Sequence, residues 1–200
     1  MSGRLPRVAV VLVAFLAGLG VCLGGLLYFT KAGPGPIPIP TAAIGGPFRL
    51  VDQNGAPFSD QNLKGKPFLV FFGFTHCPDV CPTSLFEISE IMRKLGPDAD
   101  RTAALFITVD PERDTAASMK DYLASFDPHI RGLTGDPAAL AAVAKAYRVY
   151  YQKVPFGPAG DYTMDHSAIV YLMDKDGRFI SPFNMKRTAD VAAADLRKYL

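Results

Sequence analysis

Hydrophobic and polar positions recur along this chain with several distinct periods, and each period predicts an element. Positions 8–29 carry no charge over 22 residues, with Arg4 and Arg7 before them and Lys31 after. A helix of that length crosses the hydrocarbon core of a bilayer, and the glycines it contains are common in membrane helices. Phe48-Arg49-Leu50-Val51-Asp52 alternates like a short strand that Gln53-Asn54-Gly55 turns back. Positions 68–72 are apolar on both faces, the mark of a strand in the middle of a sheet. From Pro82 onward, Leu85, Ile88, Met92 and Leu95 share one helical face, which Gly96-Pro97 ends. Positions 103–109 form a second apolar run. A helix carrying Met119, Tyr122, Leu123 and Phe126 follows from a start near Asp114 or Thr115. Asp136-Pro137 then supplies the cap and first-turn proline of a helix burying Leu140, Val143, Ala144 and Tyr147.

After this strand, helix, strand, helix order, which predicts an α/β domain, the pattern changes. Positions 149–154 read as an edge strand, 155–162 as a glycine- and proline-bearing loop, and 167–173 as a strongly apolar strand. Asp174-Lys175-Asp176-Gly177 turns that strand into Arg178-Phe179-Ile180 as a hairpin. Thr188 opens a last helix that offers Val191, Leu196 and Tyr199 for packing. The expected organisation is a cytoplasmic N-terminus at 1–7, a transmembrane anchor at 8–29, a proline- and glycine-rich linker at 30–43, and one domain at 44–200.

Composition refines this picture. A formal net charge of +2 in 200 residues is too small and too dispersed for a nucleic-acid partner. Proline recurs at every second position from Pro34 to Pro40, which gives a semi-extended spacer. The two arginines ahead of the apolar run favour a cytoplasmic N-terminus, with the domain on the other side of the membrane. A cleaved signal peptide is the competing reading, but the run exceeds the usual apolar region of about 7–15 residues. The short segment before the anchor lacks the long Arg- and Ser-rich character of a mitochondrial presequence, which favours a bacterial inner membrane with a periplasmic domain.

Of three cysteines, Cys22 falls in the apolar run, leaving Cys77 and Cys81 to act together. Each precedes a proline, which disfavours helical geometry in the residue before it. The expected helix therefore starts at Pro82 with Cys81 as its N-cap, the helix dipole easing ionisation of that thiol. As a structural staple the pair would be poor, because closing so short a loop removes little entropy from the unfolded chain.

A cysteine motif after a buried strand, a crossover unit, a hairpin and a closing helix resemble the thioredoxin-like fold. If the 167–173 strand runs antiparallel to 68–72, as in that fold, His166 arrives beside Cys77 and Cys81. Two thiolates and an imidazole suit Cu(I) and also accept Cu(II), whereas zinc usually takes a fourth ligand. The same sulfurs can form a reversible disulfide, coupling metal loading to redox state. Asp79 and Asp165 flank the ligands and can orient groups around them. Asp110 ends a buried strand, where a carboxylate is costly unless it caps the turn, pairs with Arg113 or serves the site. His76 points away from the ligands if its backbone is extended, His129 reads as a surface loop residue, and Met164 as packing.

Phe72-Gly73-Phe74-Thr75-His76-Cys77-Pro78-Asp79-Val80-Cys81-Pro82, Val109-Asp110-Pro111-Glu112-Arg113-Asp114-Thr115, Leu133-Thr134-Gly135 and Tyr162-Thr163-Met164-Asp165-His166-Ser167 resemble, in order, the Sco/SenC family. Phe74 departs from the tyrosine the family often carries there. The resemblance implies a membrane-anchored, thioredoxin-like protein with copper ligands Cys77, Cys81 and His166. It also implies a role in assembling the dinuclear copper centre of cytochrome c oxidase, with the oxidase's copper-bearing subunit and other copper chaperones as partners. Two other functions compete. A thiol-disulfide oxidoreductase needs only Cys77 and Cys81. A peroxidase on the same fold normally places a threonine shortly before a single reactive cysteine.

Overall fold

The computed structural model describes residues 7–31, 43–157 and 160–200. The chain divides into two compact units, Met1–Thr41 and Ala42–Leu200. In the first, α1 (Arg7–Lys31) contains the stretch Ala9–Tyr28, long and apolar enough to cross a membrane. This helix fits a single-pass anchor and takes in residues 30 and 31, which the proline pattern had assigned to the spacer. The remainder of the spacer up to residue 42 lies outside the described residues, as do residues 1–6.

The second unit is built on a mixed seven-stranded sheet. Its strands are β1 (Arg49–Asp52), β2 (Pro57–Ser59), β3 (Phe68–Gly73), β4 (Ala103–Thr108), β5 (Ile130–Thr134), β8 (Val170–Met173) and β9 (Phe179–Pro182). Their spatial order is β2-β1-β5-β4-β3-β8-β9. The parallel trio β3, β4 and β5 forms the centre, and β8 runs antiparallel to β3 with Phe71 opposite Val170. All six residues of β3 are buried, as expected for a strand covered on both faces. This is the thioredoxin-like arrangement the sequence pattern predicted.

Helix α2 (Val80–Leu95) connects β3 to β4, and α3 (Ala116–Leu123) connects β4 to β5. Both crossovers advance in the same direction across the sheet, so their right-handedness puts both helices on one face. Leu85, Ile88, Met92 and Leu95 are buried there. Helix α4 (Pro137–Ala146) follows β5, capped by the Asp136 side chain accepting from the Ala139 N–H at 2.9 Å, with Leu140, Val143, Ala144 and Tyr147 buried.

The structure corrects four expectations. Helix α2 begins at Val80 with Asp79 as N-cap, so Cys81 lies inside the first turn and Pro82 behind it. Proline is accommodated because first-turn N–H groups have no intrahelical acceptor to lose. Strand β5 was not foreseen; Arg131 and Gly132 break its apolar pattern. The 149–154 segment does not join the main sheet. It becomes β6 (Tyr151–Pro155), which pairs with β7 (Tyr162–His166) in a separate two-stranded arm. Polar Thr163, Asp165 and His166 had masked β7, and the main-sheet strand starts only at Val170. In α5 (Ala189–Arg197) the buried residues are Ala192, Ala193 and Leu196, while Val191 is 52% exposed. Small alanines let α5 lie close to α2, so the larger valine turns outward.

Candidate metal centre

Strand β3 delivers the site. Leu69, Phe71 and Gly73 share one face of the strand by its two-residue period, and Phe71 stacks on Phe106 from β4. A Cβ on Gly73 would lie 2.7 Å from Cys81 Sγ and 2.7 Å from the Phe106 ring. Glycine is thus the residue that lets the Cys81 sulfur rest against the strand. After β3 the chain turns through Thr75 and His76, Cys77 N–H donating to the Phe74 carbonyl at 3.3 Å, and then enters α2. Cys81 N–H points at Cys77 Sγ across 3.3 Å.

His166 closes the group from the end of β7. Its Nε2 is 3.6 Å from Cys81 Sγ and its Nδ1 is 3.3 Å from the Ser167 carbonyl. A carbonyl only accepts, so Nδ1 carries the proton and Nε2 presents its lone pair to the sulfurs. Phe71 and Phe74 approach the ring edge-on. Burial lowers the His166 pKa against the opposing pull of the Ser167 carbonyl and Asp165, which favours neutral imidazole, the form that ligates metals. The donor atoms of Cys77, Cys81 and His166 all lie within 4.8 Å of one another.

The two thiols differ. Cys77 is half-buried and Cys81 fully buried, and both are free. Burial pushes the Cys81 thiol far up, overriding the N–H of Phe74 that favours the thiolate. The expected easy ionisation of Cys81 by the helix dipole is therefore wrong: desolvation dominates inside the core.

Asp79 and Asp165 are exposed at the rim, and Asp79 makes no capping bond through its side chain. Asp110 is buried and pairs with Arg113 Nε. It also accepts from the Tyr162 hydroxyl at 2.9 Å. Arg113 Nη1 donates to the Tyr162 carbonyl at 2.9 Å, and the guanidinium lies 3.8 Å from the Tyr162 ring centroid. Partial burial and the Asp110 carboxylate push the Tyr162 phenol up to about 12, so it stays a donor. Asp110 and Arg113 thereby clasp the arm at the first residue of β7, and His166 is the last. His76 is outside the ligand group; its side chain is 55% exposed and its Nδ1 is 3.1 Å from Thr75 Oγ1. His129 sits between Asp127 and Asp100 at the opposite ends of β4 and β5. Met164 is partly buried against the core.

Sequence reasoning missed Asp114. Of the two expected starts for α3, Asp114 and Thr115, it is Thr115 that caps the helix, its side chain accepting from the Ser118 N–H. Asp114 instead turns under the cysteine loop and is fully buried. The available signal was an acid four positions after Asp110 in a chain segment leaving a buried strand.

Known proteins bear on this geometry. The family model described as SCO1/SenC matches residues 38–200. The mitochondrial SCO2 homolog of Mus musculus is 40% identical over 162 residues, which cover 80% of this chain and 64% of that protein. The chain thus spans under two thirds of that relative's length. The copper-bound structure of Bradyrhizobium japonicum ScoI is 68% identical, with a TM-score of 0.77, covering 79% of this chain and all of that one. Copper-bound yeast Sco1 is 37% identical with a TM-score of 0.71, covering 78% of this chain and 88% of that one.

Proposed function

Because the chain belongs to the SCO1/SenC family, we propose that it is a membrane-anchored copper metallochaperone holding one copper ion between Cys77, Cys81 and His166. It passes the ion by ligand exchange to the copper-bearing subunit of a cytochrome c oxidase during assembly. The observation that carries this reading is the convergence of two sulfurs and one imidazole nitrogen within 4.8 Å, delivered by three separate pieces of backbone.

Loading displaces the two thiol protons to solvent as the thiolates form, so affinity rises with pH. The buried Cys81 sulfur, costly to ionise alone, gains most from a cation beside it. The half-exposed Cys77 is where an incoming ligand of the acceptor, or of a copper-donating chaperone, reaches the ion first. Cu(I) suits the soft donor set, and the imidazole admits Cu(II). The apolar helix at Ala9–Tyr28 supports a bacterial inner-membrane anchor with the domain in the periplasm, as does the bacterial source of ScoI. Asp110 acts on the site through Arg113 and Tyr162, which hold the arm that carries His166, while Asp79 and Asp165 act through charge beside the ligands rather than through a bond to them.

X-ray absorption of the copper-loaded full chain in detergent tests this reading. Two sulfurs and one nitrogen are expected, and His166→Ala weakens Cu(I) binding. A sulfur-only spectrum in the parent protein, or equal affinity in the variant, sinks it.

The contrast between the thiols favours a second activity, thiol-disulfide exchange. Cys77 thiolate attacks a partner disulfide and releases one partner thiolate; Cys81, on losing its proton, then attacks the Cys77 sulfur and releases the other. The partner gains two electrons and two protons as Cys77 and Cys81 become a disulfide. Retention of reductase activity in His166→Ala separates the two activities.

A further inference from the structure

We propose that Asp114 is the positioning residue of the thiol pair: a buried carboxylate that holds the Cys77-bearing loop through Thr75 and thereby sets how firmly the site retains copper. This inference rests on the copper-holding reading above.

Two of the three ligands are fixed without it. Cys81 is locked within α2 against Gly73. His166 is oriented by the Ser167 carbonyl and two aromatic rings. Cys77 lies in irregular backbone between β3 and α2, and its sulfur is the partly exposed one. Something must hold that backbone for the sulfur to remain in range of the other two donors.

Asp114 does so from below. Its Oδ2 accepts the Thr75 N–H at 3.1 Å, and its Oδ1 accepts the Thr75 hydroxyl at 2.6 Å. Oδ2 also accepts the Thr108 hydroxyl at 2.6 Å, at the end of β4. The backbone of Asp114 is itself pinned, its N–H donating to the Asp110 carbonyl at 2.9 Å and its carbonyl accepting the Thr134 hydroxyl at 2.7 Å. One carboxylate of 0% exposure thus ties the cysteine loop to the ends of β4 and β5. Among the described residues no Lys or Arg side chain pairs with it, and the exposed His76 ring comes no nearer than 3.9 Å. A buried carboxylate without a close cation persists only where its hydrogen bonds compensate. Three convergent donors need an acceptor-only group; the amide of asparagine would turn one donor against another.

The test uses the full chain in detergent, as parent, Thr75→Val, Thr75→Ser and Asp114→Asn. Thr75→Val keeps the side-chain shape and the Asp114–Thr108 bond, so it stays informative if Asp114→Asn fails to fold. Cu(I) affinity by competition, the Cu(II)–thiolate charge-transfer band and the dithiol–disulfide equilibrium constant are read for each. Support of a metal ligand through a neighbouring group is worth roughly 10–100-fold in affinity. Thr75→Val is therefore expected to weaken Cu(I) binding about tenfold and shift the band, with Thr75→Ser restoring both. A parent with two sulfurs and one nitrogen on copper, and a Thr75→Val variant matching it in affinity and band, overturns the inference while leaving the copper reading intact. A parent without that copper signal overturns the copper reading alone. The disulfide equilibrium then decides: a change of about tenfold in Thr75→Val, equivalent to about 30 mV, supports the positioning role, and an unchanged value overturns it.

Discussion

Replacing Gly73 by alanine inserts one methyl group where β3 meets Cys81. The new carbon would sit 2.7 Å from both Cys81 Sγ and the Phe106 ring, about 0.7 Å inside the closest ordinary van der Waals contact. Neither neighbour has free space to move into, since Cys81 and Phe106 are both at 0% exposure. Overpacking of this kind costs about 1–3 kcal/mol. With a urea slope of about 1–3 kcal/mol per molar, a loss near 2 kcal/mol lowers the unfolding midpoint by roughly 1 M. The more informative consequence is local. The Cys81 sulfur, now 3.6 Å from His166 Nε2, is displaced from β3, so Cu(I) affinity falls along with stability. Gly46→Ala is the control, because its new carbon meets only the Ala146 methyl at 3.7 Å. Urea denaturation and Cu(I) competition on both variants are the assays. If Gly73→Ala matches Gly46→Ala in midpoint and copper affinity, the argument that glycine makes room for the sulfur is refuted.

Two further predictions concern the surroundings. Burial alone would raise the Asp52 pKa, but N–H groups of Ala56 and Asn54 and the Arg131 guanidinium outweigh it and hold it below the usual carboxylate range. A depressed folded-state pKa stabilises above the unfolded value of about 3.9 and is lost as pH falls through the folded value; Asp52→Asn should therefore flatten the loss of stability below about pH 4 in acid titrations followed by circular dichroism, and an unchanged acid limb contradicts it. Tyr162→Phe removes a donor from the buried Asp110 carboxylate, at a cost of about 1–3 kcal/mol. Amide exchange is expected to quicken across β6 and β7 while copper stoichiometry stays at one, and parent-like protection of the arm would rule out the clasp.

Much of this protein was legible in the order of its residues. The 8–29 run, the buried strand at 68–72, the helix face of Leu85, Ile88, Met92 and Leu95, and the Asp136 cap were readable because burial and capping impose a period or a residue type locally. The approach of His166 to Cys77 and Cys81 followed from one antiparallel pairing, and the register of Phe71 with Val170 provides it. Tertiary structure alone decided the rest. The Cys81 thiol was expected to ionise easily at a helix mouth, yet desolvation by the surrounding core reverses the sign. The pattern assigns no element to 163–166, because the polar residues of β7 pair with β6 in an arm outside the main sheet rather than alternating over a core. Asp114 looked like a helix cap, and only the packing of two loops directs its carboxylate to Thr75. The core around Cys81 and the Thr75 and Thr108 partners of Asp114 come from other chain segments, and the β6–β7 arm, though its strands are neighbours in sequence, covers no core that would impose an apolar period.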